Sequence, residues 1–179
     1  MTTGISQEDN LIIQSYVTIA LLAELHNNNL LESPFFGEMT FGSPWVKELL
    51  REVRIDNQGC AIIALYAMLV LPREIVGQAF ATEYASINSF LSANTQHTVS
   101  DYKSDEQSVN YTYHIRDAVS HGRIEFRPND AIVFKDEKTS KNKMYSFSTE
   151  LPLKHLGELV GQLQNVHLAY ISNMNKHGT

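Results

Sequence analysis

Tyr113-His114-Ile115-Arg116-Asp117-Ala118-Val119-Ser120-His121-Gly122-Arg123 gathers more reactive side chains than any other stretch of this chain. Arg116 carries the planar fork that grips phosphate oxygens two at a time. His121 brings the one side chain whose ordinary titration falls near neutral pH, which suits proton transfer. If the stretch is helical, Asp117 and His121 lie four apart and their side chains can meet, fixing the imidazole tautomer. Ser120 lies four from Arg116 and suits a phosphate contact, and Arg123 and Arg127 follow where a nucleic-acid backbone could track past them. His114 shares the flank of Asp117 and His121. Those three could in principle ligate a metal, but no supporting shell is visible in the sequence and no metal site is assigned. Each residue also has a plain reading: a surface ion pair, a helix-end histidine, a solvated arginine.

A helix must hold these groups. Tyr111, Ile115, Ala118, Val119 and Gly122 form one apolar stripe, with Arg116 on one flank and His114, Asp117 and His121 on the other. The helix is expected from about Asp105, with acids in its first turn, to His121, and Gly122 stops it. Arg116 and His121 are then about 140° apart around the axis. Either the last turn distorts to bring them together, or two copies of the helix share one cleft across a two-fold axis.

The rest of the chain supplies the frame. Residues 8–31 and the stretch from Trp45, with Val46, Leu49, Leu50 and Val53 as a buried stripe, read as amphipathic helices separated by a loop over 32–44. Cys60–Leu71 is almost wholly apolar and reads as a central helix packed on most sides. Pro72 ends it and opens a helix over about Arg73–Ser92, and residues 93–104 read as a polar loop. After Gly122, Ile124–Phe126 alternates, residues 127–130 form a turn, and Ala131–Phe134 is β-prone. Lys135–Lys143 reads as a charged hairpin tip or loop, and Tyr145 and Phe147 as a third short strand. Pro152 opens a last helix, Leu153–Met174, with Leu156, Leu159, Val160, Leu163, Val166 and Tyr170 on one stripe. The fold class is mainly α: an up-and-down helical bundle with a small β-hairpin before the last helix.

Composition narrows the functions. The 179 residues fit one domain with a real core, 43% apolar and 19% charged. Net charge is −6, which excludes a generally basic nucleic-acid-coating protein. The charge is uneven: residues 1–113 carry 5 basic and 13 acidic side chains, whereas residues 114–154 carry 8 basic and 6 acidic. The positive part thus begins at the reactive stretch. A single cysteine, Cys60, leaves no disulfide framework or cysteine zinc site, and no histidine near it in sequence supports a cysteine nucleophile. Gly37 and Gly42 lack the Lys-Ser/Thr of a phosphate loop. No signal peptide or membrane span is expected, and the expected setting is the cytoplasm.

Arg116-Asp-Ala-Val-Ser-His121, with its polar second residue and Gly122 at the helix end, resembles the Arg-x4–6-His motif of HEPN domains. In that family the last core helix of a helical bundle carries the motif, often with Asn, Asp or His after the Arg. The His-Gly pair and the following hairpin are similar to prokaryotic members. The resemblance implies that residues 1–179 form a single HEPN-like domain that works as a homodimer. It implies a metal-independent endoribonuclease of toxin or defence type, needing no cofactor, with RNA as substrate and an antitoxin or other protein as a further partner. Arg116 and His121 would act on the scissile phosphodiester, with Asp117 orienting His121, and with His114, Ser120, Arg123 and Arg127 as candidate RNA contacts. Some HEPN proteins are non-catalytic nucleotide- or protein-binding modules, which is the alternative.

Overall fold

The computed structural model describes residues 6–72, 75–128 and 130–177. Helix α1, Gln7–Asn27, starts at Ser6, whose side chain accepts the Asp9 backbone N–H. A short helix α2, Pro34–Glu38, interrupts the expected loop, capped by Ser33. Helix α3, Pro44–Val53, follows, and Asn57 caps α4, Gln58–Leu65. The apolar run then continues as a π-turn over Tyr66–Val70, closed by the Leu71 N–H on the Tyr66 carbonyl. The next helix is broken into α5, Ile75–Ala79, and α6, Ala81–Asn94, at Phe80. Its expected start at Arg73 lies outside the described residues, as does Asn129 of the expected turn.

Among the described residues the strands are β1 (Gln96–Ser100), β2 (Ile124–Arg127), β3 (Ala131–Ser140) and β4 (Lys143–Pro152), in antiparallel order β1-β4-β3-β2. Helix α7, Tyr111–Ser120, lies between β1 and β2 in sequence, and α8, Leu156–His177, closes the chain. The inner face of the sheet presents Ile132, Phe134, Phe147 and Leu151 to Ile115, Ala118 and Val119 of α7 and to Leu156, Leu159, Leu163 and Val166 of α8. Ile12, Ile19, Leu65, Met68, Ile87 and Leu91 complete that core from the remaining helices. His167 of α8 sits buried in it, and its Nε2 lies 2.9 Å from the Met68 carbonyl in the π-turn. Burial lowers the His167 pKa, so the neutral ring donates to that carbonyl.

The chain is mostly helical, but the β part exceeds a small hairpin. β1 falls in the segment expected to be a polar loop. It is an edge strand held by backbone pairing to β4, and its one strongly apolar residue, Val99, is 64% exposed. β3 and β4 run through Lys135–Lys143 to a two-residue turn at Lys141 and Asn142, both with positive φ, as a tight hairpin requires. Beyond Glu137 this ribbon has no third strand: β2 pairs only with residues 131–134, and β1 only with residues from Phe147 onward.

Other expectations also need correction. Helix α7 begins at Tyr111, capped by Asn110, and no acid lies in its first turn; Asp105 ends a short turn before it and is buried. No residue of α3 is buried, and Leu49 and Val53 stay exposed on the surface. Ile63 and Tyr66 leave one side of the apolar run open to solvent. No single helix among the described residues is long and apolar enough to cross a membrane.

Candidate active site

Helix α7 is fixed at both ends before its side chains are considered. At the start, Asn110 Oδ1 accepts the Tyr113 N–H at 3.2 Å, and Asn88 of α6 accepts the Thr112 N–H at 3.3 Å. At the end, Gly122 adopts φ +65°, the Arg123 N–H reaches the Ala118 carbonyl at 2.9 Å, and the Gly122 N–H reaches Val119 at 3.2 Å. This paired closure needs a left-handed residue at Gly122, which glycine supplies without strain. His121 is the capping residue, with φ −102° and ψ 4°, already off the helical path.

The buried stripe of α7 is Tyr111, His114, Ile115, Ala118 and Val119. His114 therefore belongs to the core side, and this corrects its expected place on the flank: it is 1% exposed and out of reach of RNA. Its Nδ1 lies 2.7 Å from Asp136 Oδ2 of β3, and its Nε2 lies 2.9 Å from Asp105 Oδ2. Both carboxylates are buried. Each ring nitrogen thus faces a carboxylate oxygen within hydrogen-bond distance. Phe147 stacks on the ring at 4.2 Å. Ser100 Oγ donates to Asp105 Oδ2 at 2.5 Å, satisfying another lone pair. The Tyr102 hydroxyl is buried beside this group without a hydrogen bond of normal geometry; burial first, and Asp136 next, push its phenol well up. The network ties three segments together: the turn before α7, α7 itself, and the sheet.

Arg116 and Asp117 meet directly. Arg116 donates from Nε at 3.0 Å and from Nη2 at 2.8 Å, both to Asp117 Oδ1. The guanidinium lies over the Tyr113 ring at 4.7 Å. The Asp117 carboxylate thus holds Arg116 and makes no hydrogen bond to the His121 ring, while the Asp117 carbonyl accepts the His121 backbone N–H at 3.1 Å. Arg116 also lines a cavity of about 200 Å³ with Leu69, Gly77, Tyr84, Asn110, Thr112 and Tyr113. Burial pushes the Tyr84 phenol up to about 12 against the opposing charge of Arg116. Burial, then Asp117 and Asp136, raise the Tyr113 phenol.

The remaining expected residues are dispersed. His121 is exposed, and its ring is unbonded among the described residues. Ser120 Oγ donates to the Asp117 carbonyl at 2.9 Å. Arg123 donates to the Glu137 carbonyl at 3.0 Å. Arg127 pairs with the buried Glu150 at 3.0 Å. Among the described residues no three His, Cys, Asp or Glu side chains gather in metal-ligating geometry. Sequence reasoning missed Asp105, Asp136, Tyr84, Asn110 and Thr112. Asp136 carried a signal: it continues the inward alternation of Ile132 and Phe134, which sends an acid toward α7.

A helical bundle on an antiparallel sheet, with an arginine and a terminal histidine on one helix, defines the architectural class. A family model described as HEPN pEK499 p136 matches residues 5–174, and the chain belongs to the HEPN family. Membership supports a nuclease- or toxin-like module in general terms. No curated protein and no solved structure matches the chain.

Proposed function

We propose that this protein is a metal-independent endoribonuclease of toxin or defence type, with its active site shared across a homodimer. The observation that carries the reading is the contrast between Arg116 and His121. Arg116 is half-buried and held in place by Asp117 and Tyr113, with Nη1 and one Nη2 hydrogen unspent. His121 stands exposed where α7 ends. Among the described residues no hydrogen bond or ring contact joins Arg116 to the His121 side chain, which favours the second of the geometric alternatives: two copies of α7 facing across one cleft. The 2′-hydroxyl attacks the adjacent phosphorus, and the 5′-oxygen of the next nucleotide leaves. His121 takes the hydroxyl proton, and the histidine of the second copy returns one to the leaving oxygen. Arg116 meets the charge that grows on the non-bridging oxygens. Asp117 positions Arg116. Arg123 and Arg127, both engaged on the sheet, serve as secondary backbone contacts.

One observation favours a second reading, a non-catalytic nucleotide- or protein-binding module. The Arg116–Asp117 pair is neutral as a unit, and the chain carries net charge −6, so little positive field draws a polyanion in. The deciding experiment incubates the purified protein and its His121→Ala and Arg116→Ala variants with RNA in chelator. Cleavage by wild type alone, leaving 2′,3′-cyclic phosphate ends and sparing strands with 2′-deoxyribose at the cut, supports the ribonuclease. Equal cutting of deoxy-substituted strands refutes the mechanism. No cleavage, with both variants losing affinity for a nucleotide or protein, establishes the binding module instead.

A further inference from the structure

The cavity beside Arg116 has a chemistry of its own. Its walls come from four elements: Leu69 in the π-turn, Gly77 on α5, Tyr84 on α6, and Asn110, Thr112, Tyr113 and Arg116 at α7. The start of a helix is a common anion site, but here the N–H of Thr112 is spent on Asn88 and that of Tyr113 on Asn110. The one cation at the wall is neutralised by Asp117. The helix start therefore has neither of these N–H groups left for a phosphate, which falls to the unspent N–H groups of Arg116, and the rest of the pocket suits a neutral polar ring.

The side-chain inventory narrows the ring further. Asn110 Oδ1 accepts from Tyr113 N and from Thr112 Oγ1, which leaves the Asn110 amide hydrogens unspent among the described residues. Thr112 gives its hydroxyl hydrogen to Asn110, so Thr112 Oγ1 faces a ligand as an acceptor. Tyr84 O–H makes no hydrogen bond among the described residues, and its raised pKa keeps it a donor at neutral pH. Arg116 adds its unspent N–H groups. The set is several donors with one acceptor, in a pocket that Tyr84 and Tyr113 also line. Uracil presents the complement, one N–H between two carbonyl oxygens. Adenine, with its exocyclic amine donor, does not. At about 200 Å³ the space is below that of drug-sized sites, and a single ring suits it.

From this we infer that the cavity is a nucleobase subsite, which receives a uracil-type base next to the scissile phosphate and gives the enzyme its sequence preference. The inference rests on the ribonuclease reading for the word scissile, but not for binding. Tyr84, Asn110 and Thr112 are its specificity residues, and Arg116 links subsite to phosphate.

Gly77 offers the cleanest test, because a Cβ built there meets nothing within 4 Å. Gly77→Leu adds a side chain at the cavity wall, starting from a Cβ that has open space around it. Tyr84→Phe and Thr112→Val remove single hydrogen-bonding groups and carry the test if the leucine variant does not fold. The probes are uridine 3′-monophosphate and adenosine 3′-monophosphate, titrated calorimetrically, alongside cut-site mapping on a mixed-sequence RNA. Wild type should bind the uridine nucleotide about tenfold or more tightly over the adenosine one, a difference of about 1.4 kcal/mol. Gly77→Leu should erase that preference, and each polar variant should weaken uridine binding roughly threefold to tenfold. Cut sites should cluster at uridine in wild type and scatter in the folded variants. Equal affinity for both nucleotides in wild type, or uridine affinity unchanged in a folded Gly77→Leu, overturns the subsite. If wild type cuts RNA and the variants keep its pattern, the subsite alone falls. If wild type cuts nothing yet shows the uridine preference and its loss, only the ribonuclease reading falls.

Discussion

His114→Leu should be among the most damaging single substitutions in the protein, though it touches neither Arg116 nor His121. The leucine fills much of the ring's volume, so the loss is chiefly electrostatic. Asp105 and Asp136, 9% and 2% exposed, would stay buried and each lose its hydrogen bond to the ring, with Ser100 Oγ left on Asp105. Breaking a buried ion pair from one side costs roughly 3–5 kcal/mol, and the lost stacking on Phe147 adds about 1 kcal/mol. The total, about 4–6 kcal/mol, is a large part of the ~5–15 kcal/mol that holds an ordinary domain together. Urea unfolding followed by circular dichroism would show it as a midpoint lowered by about 2–3 M at an ordinary slope. The argument makes a second demand. Adding Asp105→Asn and Asp136→Asn to His114→Leu removes the stranded carboxyl groups, so the triple variant should regain about 2 kcal/mol or more over the single one. A loss below about 1.5 kcal/mol in His114→Leu, or a triple variant weaker than the single, would refute this account of the network.

Gly122→Ala should cost about 1 kcal/mol in unfolding free energy, because a Cβ at φ +65° is strained in the closure of α7. Arg116→Lys should recover little of the RNA cleavage lost in Arg116→Ala, since an ammonium cannot repeat the planar fork; a rate within threefold of wild type would count against a bidentate role. Asp117→Ala should lower kcat by about tenfold while the pH–rate profile keeps its shape, because Asp117 steadies Arg116 and not His121. A profile that moves would return Asp117 to His121. Tyr170→Phe should lose about 1 kcal/mol at neutral pH, by removing the 2.7 Å hydrogen bond to Asp9. That bond is the largest cause of the lowered Asp9 pKa. A carboxyl depressed in the folded state stabilises above its unfolded pKa near 4 and loses that as pH falls through the folded value. The gap between Tyr170→Phe and wild type should therefore narrow in acid.

What was legible in the sequence followed strong periodicity. The stripe Leu156, Leu159, Leu163 and Val166 identified the last helix, and Gly122 marked the end of α7, because burial and positive φ each demand particular residue types. β1 was illegible because an edge strand of polar residues pairs through its backbone, which no side-chain pattern records. Asp105 was misplaced because an acid before an apolar stripe resembles a helix start; only the folded chain reveals the histidine nine residues on as its partner. The same blindness hid Asp117's choice of Arg116 over His121: helical spacing allowed the second, and the two donors on the adjacent guanidinium won. The pocket beside Arg116 joins α5, α6, α7 and the π-turn, and no single segment of sequence announces it.

The unsupported end of the β3–β4 ribbon gives the molecule a built-in point of first opening. From 138 to 144 the two strands bond only to each other across a tight turn, while Glu137 and Ser146 are still tied to Arg123 and Asp101. An isolated two-stranded ribbon is barely stable in water, so those amides should exchange with deuterium long before the strand halves packed on α7. Lys138, Lys141 and Lys143 all lie in that span. Brief trypsin treatment should cut there first and leave the rest of the domain folded around the nick, with two pieces held by the sheet, α7 and α8.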